Sequence, residues 1–301
     1  MAELEATGPA RLARALVALE GLSVGDAFGE QFFGLLGRHD DPIQRRLLTE
    51  PPWPWTDDTN MALSIVAALA AGGAIDQDAL MADFARRYDV GRAYGPSMNR
   101  MLRLIQEGNA WRELLARQFE GMGSYGNGSA MRIPPLGAYF ADDPALAAEQ
   151  AALAATVTHT HPEGVAGAVA AAVGAAMAWR HGPEIRSGAD LLDLALPFVP
   201  ESEVRSRMRR ARALPADMRT LHVALKVGSG SAISCQDTVP FALWCAGAFL
   251  HDFERALWET AGGFGDLDTT CAIVGGIVAG AVGVAGIPPA WLAGREPLPA
   301  P

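Results

Sequence analysis

Two short acidic runs are the residues of this chain best suited to chemistry. Trp55-Thr56-Asp57-Asp58-Thr59 opens one apolar stretch, and Gly265-Asp266-Leu267-Asp268-Thr269-Thr270 opens another much later in the chain. Carboxylate, hydroxyl and carbonyl oxygens are the ligands that Mg²⁺ prefers, and two such clusters brought together could hold one ion or a bridged pair. The sequence therefore predicts a divalent-metal site built from the starts of two helices.

Helix capping is the alternative interpretation of each run. Thr56 or Asp57 could accept hydrogen bonds from the free backbone N–H groups of the first helix, and either aspartate of the second run could do the same. A cap uses one acceptor, whereas Asp57 beside Asp58 concentrates negative charge that repels itself without a cation. The repeated pattern favours a metal site over two caps.

A glycine-rich loop over residues 121–129 is a second candidate binding element. Its free N–H groups, with the side chains of Ser124 and Asn127, could hold a diphosphate, and Tyr125 could stack on a base or a ribose. The loop has no Lys-Ser/Thr pair and is therefore not a Walker A element. Glycine-rich loops are more often ordinary turns, so this one identifies no ligand by itself.

His159 and His161 lie two residues apart in the polar run Thr158-His159-Thr160-His161. The spacing invites a zinc interpretation, but no second set of soft ligands such as Cys-x-x-Cys accompanies it. A histidine here could orient a substrate hydroxyl or phosphate, or it could cap the helix that is predicted to start near Pro162. Both interpretations stay open on the sequence alone.

The elements that must position these groups are predicted to be helices. Apolar residues recur at helical spacing, and strong period-2 alternation of β-branched residues is absent, so we expect an all-α chain. No linker or internal repeat divides it, which predicts one domain over residues 1–301. Gly21, Gly25 and Gly29 predict close backbone contacts in the first helix. The predicted helices cover residues 12–22, 57–71, 78–88, 97–106, 144–157, 162–179, 189–194, 203–213 and 234–250.

Charge excludes one class of partner. The net charge of -10 and the sequence pI near 5.1 argue against general nucleic-acid binding, which needs a basic surface. The arginines of residues 205–212 stand among acidic residues and are predicted to form a solvated face. The acidic surface is typical of a soluble monomer.

Cysteine usage and the apolar stretches indicate a cytoplasmic protein. Cys235, Cys245 and Cys271 are widely spaced in apolar surroundings and suit reduced core thiols. The first ten residues lack the basic-then-apolar layout of a secretory signal. Residues 165–179 and 271–287 approach the length of a membrane span, but their Ala and Gly content predicts buried core helices, so no membrane insertion is expected.

Five segments, in this order, resemble the ADP-ribosylglycohydrolase family: residues 21–29, 55–59, 124–137 with the core Gly-Asn-Gly-Ser-Ala-Met-Arg, 158–161 and 265–276. The resemblance implies a compact, orthogonal all-helical bundle with two Mg²⁺ or Mn²⁺ ions in a cleft. It implies the metal ligands Thr56, Asp57, Asp58, Asp266, Asp268 and Thr269. It also implies an ADP-ribose pocket lined by Ser124, Tyr125, Gly126, Asn127, Gly128 and Met131, with His159 near the distal ribose.

The chain departs from the family pattern at one position. The family often has a glutamate four residues after the last glycine of the first segment, where it approaches the metals or gates the cleft. Phe33 occupies that position here, while Glu30 and Gln31 lie earlier. Glu30 is therefore a candidate catalytic residue in place of that glutamate.

Residues and resemblance together predict hydrolysis of the C1″ glycosidic bond of an ADP-ribosylated substrate, with arginine on a protein as the leading acceptor. The metals would bind the 2″ and 3″ hydroxyls of the distal ribose and a water molecule, and Asp57, Asp58 or Asp268 would accept a proton from that water. A small derivative such as O-acetyl-ADP-ribose is the alternative substrate. A non-catalytic, crystallin-like role is disfavoured, because the aspartates of both runs are present.

Overall fold

Helices make up the regular structure of the protein, and the computed structural model describes residues 8–33 and 42–299. Within these ranges there are isolated bridges, Trp53 with Arg295 and Gly126 with Ser234, but no strand. The all-α prediction is therefore confirmed. The α-helices of the described ranges are α1 Gly8–Glu30, α2 Asp57–Gly72, α3 Gln77–Arg87, α4 Pro96–Gln106, α5 Trp111–Ala116, α6 Gly128–Met131, α7 Pro134–Tyr139, α8 Pro144–Thr156, α9 Pro162–His181, α10 Gly188–Ala195, α11 Glu203–Arg212, α12 Thr220–Val227, α13 Cys235–Ala248, α14 Phe253–Ala261, α15 Leu267–Val282 and α16 Pro289–Gly294.

Helix α15 is central to the bundle and packs against α1, α9, α13 and α14. The predicted close contacts of the first helix are formed with α15. A Cβ atom on Gly25 would stand 2.0 Å from the carbonyl oxygen of Cys271, and one on Gly29 would stand 2.2 Å from that of Leu267. The backbones of α1 and α15 therefore touch, which places the last turn of α1 beside the first turn of α15.

Gly25→Ala should destabilise the protein by about 2 to 3 kcal/mol, because overpacking forces two rigid backbones apart. Gly72→Ala is the matched control, since a Cβ there meets no atom within 4 Å. Ala also has the higher helix propensity, so the control should be neutral or slightly stabilising. Urea unfolding of both variants measures the difference, and equal midpoints would contradict this packing.

Helix α9 is the stretch whose length and composition raise the question of membrane insertion. Among the described residues, Pro162–Glu184 is long and apolar enough to cross a bilayer, and 78% of its most apolar window is buried inside the fold. It packs against α7, α8 and α13. This burial agrees with its prediction as a core helix.

The predicted core thiols and surface arginines lie where the sequence places them. All three cysteines are buried and unpaired, and burial raises the pKa of the Cys235 thiol to about 12. On α11, Arg207 pairs with Glu203 at 2.9 Å and Arg209 pairs with Glu201 at 3.0 Å. These arginines form a face neutralised by acidic neighbours, as predicted.

Six α-helices of the described ranges start with a side-chain cap, and α2 and α15 are among those that do not. Asp76, Asp143 and Asp252 each accept a hydrogen bond from a backbone N–H in the first turn of their own helix. Thr56 and Asp266 occupy the equivalent positions of α2 and α15, and neither side chain makes such a bond. The capping interpretation therefore fails for Thr56 and Asp266, whereas Asp268 accepts a hydrogen bond from the backbone N–H of its neighbour Thr269 at 2.7 Å in the first turn of α15.

Candidate functional site

The two acidic runs meet at a cleft of about 490 Å³, together with the glycine-rich loop. The starts of α2 and α15 form its floor, called the acidic floor after Asp57, Asp58, Asp266 and Asp268. The loop before α6 forms one wall. Two of the residues predicted for the site, Thr56 and Glu30, do not line the cleft. The predicted residues that do are Asp57, Asp58, Ser124, Tyr125, Gly126, Asn127, Gly128, Met131, His159, Asp266, Asp268 and Thr269.

Asp26, on α1, fixes the start of α2 and was missed from the sequence. It is fully buried, and its carboxylate accepts hydrogen bonds from the backbone N–H of Thr56 at 2.9 Å and of Thr59 at 3.1 Å. The Thr59 hydroxyl donates to it at 2.5 Å. Asp26 thus satisfies the free N–H groups of α2 from another helix. This is why α2 needs no local cap and Asp57 and Asp58 can face the cleft.

The buried carboxylates of the cleft floor raise one another's pKa. Burial, followed by the charge of Asp26, raises the pKa of Asp57 to about 8. Burial and then Asp268 hold the pKa of Asp58 well above its usual range. For Asp268 the causes of the increase are burial and then Asp266. Like charges this close in a poorly solvated site favour proton uptake or cation binding.

The donor set at the cleft floor suits a hard cation. One oxygen of Asp58, Oδ1, is buried without a hydrogen-bond partner, while its other oxygen lies 3.1 Å from the Thr56 hydroxyl. In the described ranges no three His, Cys, Asp or Glu side chains already stand close enough together to hold a metal ion. Hard oxygen donors are therefore present at the floor, but they are not gathered around one point in this structure.

Asn127 joins the glycine-rich loop to the acidic floor. Its amide nitrogen donates to Asp266 Oδ2 at 2.6 Å and to Thr238 Oγ1 at 3.0 Å. Within the loop, the Gly126 N–H donates to Ser124 Oγ at 3.1 Å. These bonds fix the position of the loop relative to the aspartates, so one ligand can contact the loop and the aspartates together.

The structure assigns different positions to the two histidines. His161 precedes α9, and its Nδ1 accepts a hydrogen bond from the Glu163 N–H at 3.1 Å, so His161 is the cap. His159 is buried beside the loop, and both rings line the cleft, with the His161 ring centroid 5.3 Å from that of Tyr125. Burial and the nearby charge of Arg132 lower the pKa of His159 to about 3, which keeps its ring neutral.

Exposed apolar side chains surround the mouth of the cleft. Phe119, Met122, Tyr125 and Ile233 all line it, with between 50% and 67% of each side chain exposed. Of these, only Tyr125 was selected from the sequence. Met122 belongs to the glycine-rich loop, whereas Phe119 and Ile233 come from segments with no motif, so only the fold shows that they share a rim.

The candidate Glu30 lies at the margin of the acidic group. It is the last residue of α1 and is half-buried, and burial followed by the charges of Asp26 and Asp266 raises its pKa. The charges of the acidic residues therefore raise its pKa, although Glu30 does not line the cleft. Phe33 follows in the next turn and is about one-third exposed.

Comparison with known proteins places this chain in a family. A sequence model described as ADP-ribosylglycohydrolase matches residues 7–298. The chain is similar to ADP-ribosyl-[dinitrogen reductase] glycohydrolase of Rhodospirillum rubrum, with 28% identity over 95% of this chain and 91% of that protein. It is 26% identical to ADP-ribosylhydrolase ARH3 of Bos taurus, over 79% of this chain and 73% of the other.

A solved structure extends the similarity to the fold. It is titled "ADP-ribosylglycohydrolase-related protein complex" and superposes with a TM-score of 0.65 at 28% sequence identity. The match covers 95% of this chain and 93% of that one. The orthogonal helical arrangement is therefore shared over nearly the whole length.

Proposed function

The chain belongs to the ADP-ribosylglycohydrolase family, and from this premise we propose that it hydrolyses the C1″ glycosidic bond of ADP-ribosylated arginine on a protein, releasing ADP-ribose. One observation carries the proposal: the acidic floor and the glycine-rich loop face the same cleft and are joined by the bond from Asn127 to Asp266. A diphosphate on the loop would leave the distal ribose over the carboxylates.

The residues of the floor fit two Mg²⁺ or Mn²⁺ ions, although the ions themselves are part of the proposal. The candidate ligands are hard oxygen donors, and one of them, Asp58 Oδ1, is buried without a partner. When bound, the ions would orient the ribose hydroxyls and lower the pKa of a water molecule. The ligand set proposed is Thr56, Asp57, Asp58, Asp266, Asp268 and Thr269.

The chain's own residues would then perform the proton transfer. Water adds to C1″ while the bond from C1″ to the arginine nitrogen breaks, and the electron pair of that bond goes to the nitrogen. The water proton passes to a carboxylate of the floor, Asp57, Asp58 or Asp268, and the departing neutral guanidine takes up one proton to leave as guanidinium. Asp26 lies outside the cleft lining and would not touch the substrate, whereas Asn127 lines the cleft and stays a candidate substrate-binding residue. They hold the two helix starts and the loop at fixed positions, which orients the reacting groups.

A relative supports a protein-borne substrate, because the Rhodospirillum rubrum protein is named as a glycohydrolase of ADP-ribosyl-[dinitrogen reductase]. The apolar rim supports a second candidate, a small uncharged derivative such as O-acetyl-ADP-ribose. Phe119, Met122 and Ile233 offer no carboxylate to pair with a guanidinium at the mouth.

A substrate panel separates these candidates. Protein-borne ADP-ribosyl-arginine, ADP-ribosyl-serine and O-acetyl-ADP-ribose would be incubated in parallel with the enzyme and Mg²⁺, and ADP-ribose release would be followed by chromatography. We expect the arginine conjugate to turn over fastest. Faster turnover of the acetyl ester would favour the second candidate, and release from none of them would contradict the hydrolase proposal.

The carboxylates also predict how stability depends on pH and Mg²⁺. The pKa of Asp57 rises from 3.8 to about 8 on folding, so the folded, metal-free protein binds this proton more tightly than the unfolded chain does. The stability that it adds is present below pH 3.8 and is lost as the pH rises through about 8. Bound Mg²⁺ needs the carboxylates ionised, so it should raise the melting temperature more at pH 8 than at pH 6.

Thermal melts in EDTA and in Mg²⁺ at the two pH values test this prediction. Asp57→Asn is the control, because it removes the titrating group and should flatten the pH dependence between them. A Mg²⁺ effect that is absent, or equal at both pH values, would contradict the assignment of these carboxylates as cation ligands.

A further inference from the structure

Arg132 is a fully buried cation directly behind the glycine-rich loop. Its guanidinium donates hydrogen bonds to the carbonyl oxygen of Ala154 at 3.0 Å and to Thr158 Oγ1 at 2.8 Å, and its central carbon lies 4.7 Å from the ring centroid of Phe84. These partners are neutral, so the burial of the charge is not offset by an ion pair with one of them. Such burial costs several kcal/mol, which calls for a role that an apolar residue could not fill.

Thr158 links Arg132 to His159, because its hydroxyl group contacts both side chains. The hydroxyl oxygen of Thr158 lies 2.7 Å from His159 Nδ1, a typical length for an O–H···N bond, and 3.4 Å from the carbonyl oxygen of Ala155. Thr158 has one proton to donate, and Arg132 already donates to its oxygen. The shorter contact takes the proton, so Nδ1 of His159 is the acceptor and the ring proton is on Nε2.

His159 Nε2 is directed at the space kept open by two glycines of the loop. A Cβ atom on Gly126 would stand 3.4 Å from Nε2, and one on Gly128 would stand 3.2 Å from it. The ring also lines the cleft. An N–H group at this position can donate to a ligand oxygen that the loop brings close.

We propose that Arg132 and Thr158 are positioning residues that hold His159 in its Nε2–H tautomer, so that it donates a hydrogen bond to an oxygen of the ADP-ribosyl group. The identity of the ligand rests on the proposed function, while the tautomer does not. Because the ring is neutral, Nδ1 remains an acceptor for Thr158 over the physiological pH range. Thr158 and Arg132 affect ligand binding only through the imidazole ring of His159.

The tautomer can be measured without any substrate. Long-range ¹H–¹⁵N correlation spectra of the ¹⁵N-histidine-labelled protein distinguish a protonated from an unprotonated ring nitrogen, and His159→Gln assigns the signal. We expect protonated Nε2 in the wild type and in Thr158→Ser, and a shift towards protonated Nδ1 in Thr158→Val. Thr156→Val is the matched control, because Thr156 bonds to Gln77 and to its own helix, and it should leave the signal unchanged. Protonated Nδ1 in the wild type, or an unchanged signal in Thr158→Val, would overturn the relay.

Binding of ADP-ribose alone, measured by calorimetry, tests the use of the donor. Loss of one oriented hydrogen bond should weaken binding by about tenfold in Thr158→Val, with Thr158→Ser and Thr156→Val within about twofold of the wild type. A changed tautomer with unchanged affinity would show that His159 does not contact the ligand and would overturn the proposal. If the wild type bound ADP-ribose without hydrolysing any substrate of the panel, the proposed function would fail while this inference stood.

Discussion

Asp268→Ala is expected to lower the rate of ADP-ribosyl hydrolysis by about a thousandfold while the protein stays folded. Asp268 lies at the start of α15, faces the cleft and is one of the proposed metal ligands. Removing one group that is preorganised for charge stabilisation typically costs 10²–10³-fold in rate. Steady-state release of ADP-ribose in excess Mg²⁺ measures the effect, and Asp58→Ala should behave in the same way.

Stability distinguishes this outcome from simple misfolding. Burial and neighbouring carboxylates disfavour the ionised form of Asp268, so its loss relieves repulsion in the metal-free protein. In EDTA the melting temperature of Asp268→Ala should therefore equal or exceed that of the wild type. In Mg²⁺ the order should reverse, because only the wild type gains the full binding energy of the ion. A lower melting temperature in EDTA would indicate a structural role instead.

Asp26→Asn should lower both stability and activity, although Asp26 does not line the cleft. The two carboxylate oxygens accept from the backbone N–H and hydroxyl groups of Thr56 and Thr59. An amide has only one oxygen, and its NH₂ group would face donors that it cannot satisfy. We expect a loss of about 3 kcal/mol in unfolding free energy and of about a hundredfold in kcat/KM, because the start of α2 shifts.

Asp76→Asn is the matched control for Asp26. Asp76 caps its own helix, α3, by accepting from the Ala79 N–H at 2.9 Å, and Asn caps almost as well as Asp. The control should change stability by only a few tenths of a kcal/mol and leave activity intact. Full activity in Asp26→Asn would show that α2 keeps its position without this contact.

The acidic runs and the loop were predictable because each is a local pattern. Carboxylates at a helix start, or glycines in a row, carry their meaning within a few residues of sequence. Their convergence at one cleft depends on the contact between the backbones of α1 and α15, which Gly21, Gly25 and Gly29 made predictable as a close approach. None of these glycines specified the partner helix, so the convergence was predicted only from the repeated acidic pattern and from the resemblance.

Asp26 was missed because its partners lie on a different helix. A carboxylate within the otherwise small and apolar segment Gly25-Asp26-Ala27-Phe28-Gly29 was the available signal, since a buried charge must be satisfied by donors.

The apolar rim of the cleft carried no such signal in the sequence. Phe119, Met122 and Ile233 are ordinary apolar residues, and only the fold brings them to one edge.

The roles of the two histidines could not be assigned from the sequence pattern. His161 represents both interpretations of the run, because it caps α9 and also lines the cleft, while His159 lines the cleft only. Spacing could not assign these roles, because they depend on how α9 and the loop pack around the two rings.

Metal-dependent cleavage at the acidic floor is the central claim, and one measurement tests it most directly. ADP-ribose release from ADP-ribosyl-arginine would be followed for the wild type and Asp268→Ala, each in excess Mg²⁺ and in EDTA. The predicted result is rapid release by the wild type in Mg²⁺ and little release in the other three reactions. Release by the wild type in EDTA at the rate seen in Mg²⁺, or an undiminished rate in Asp268→Ala, would contradict it.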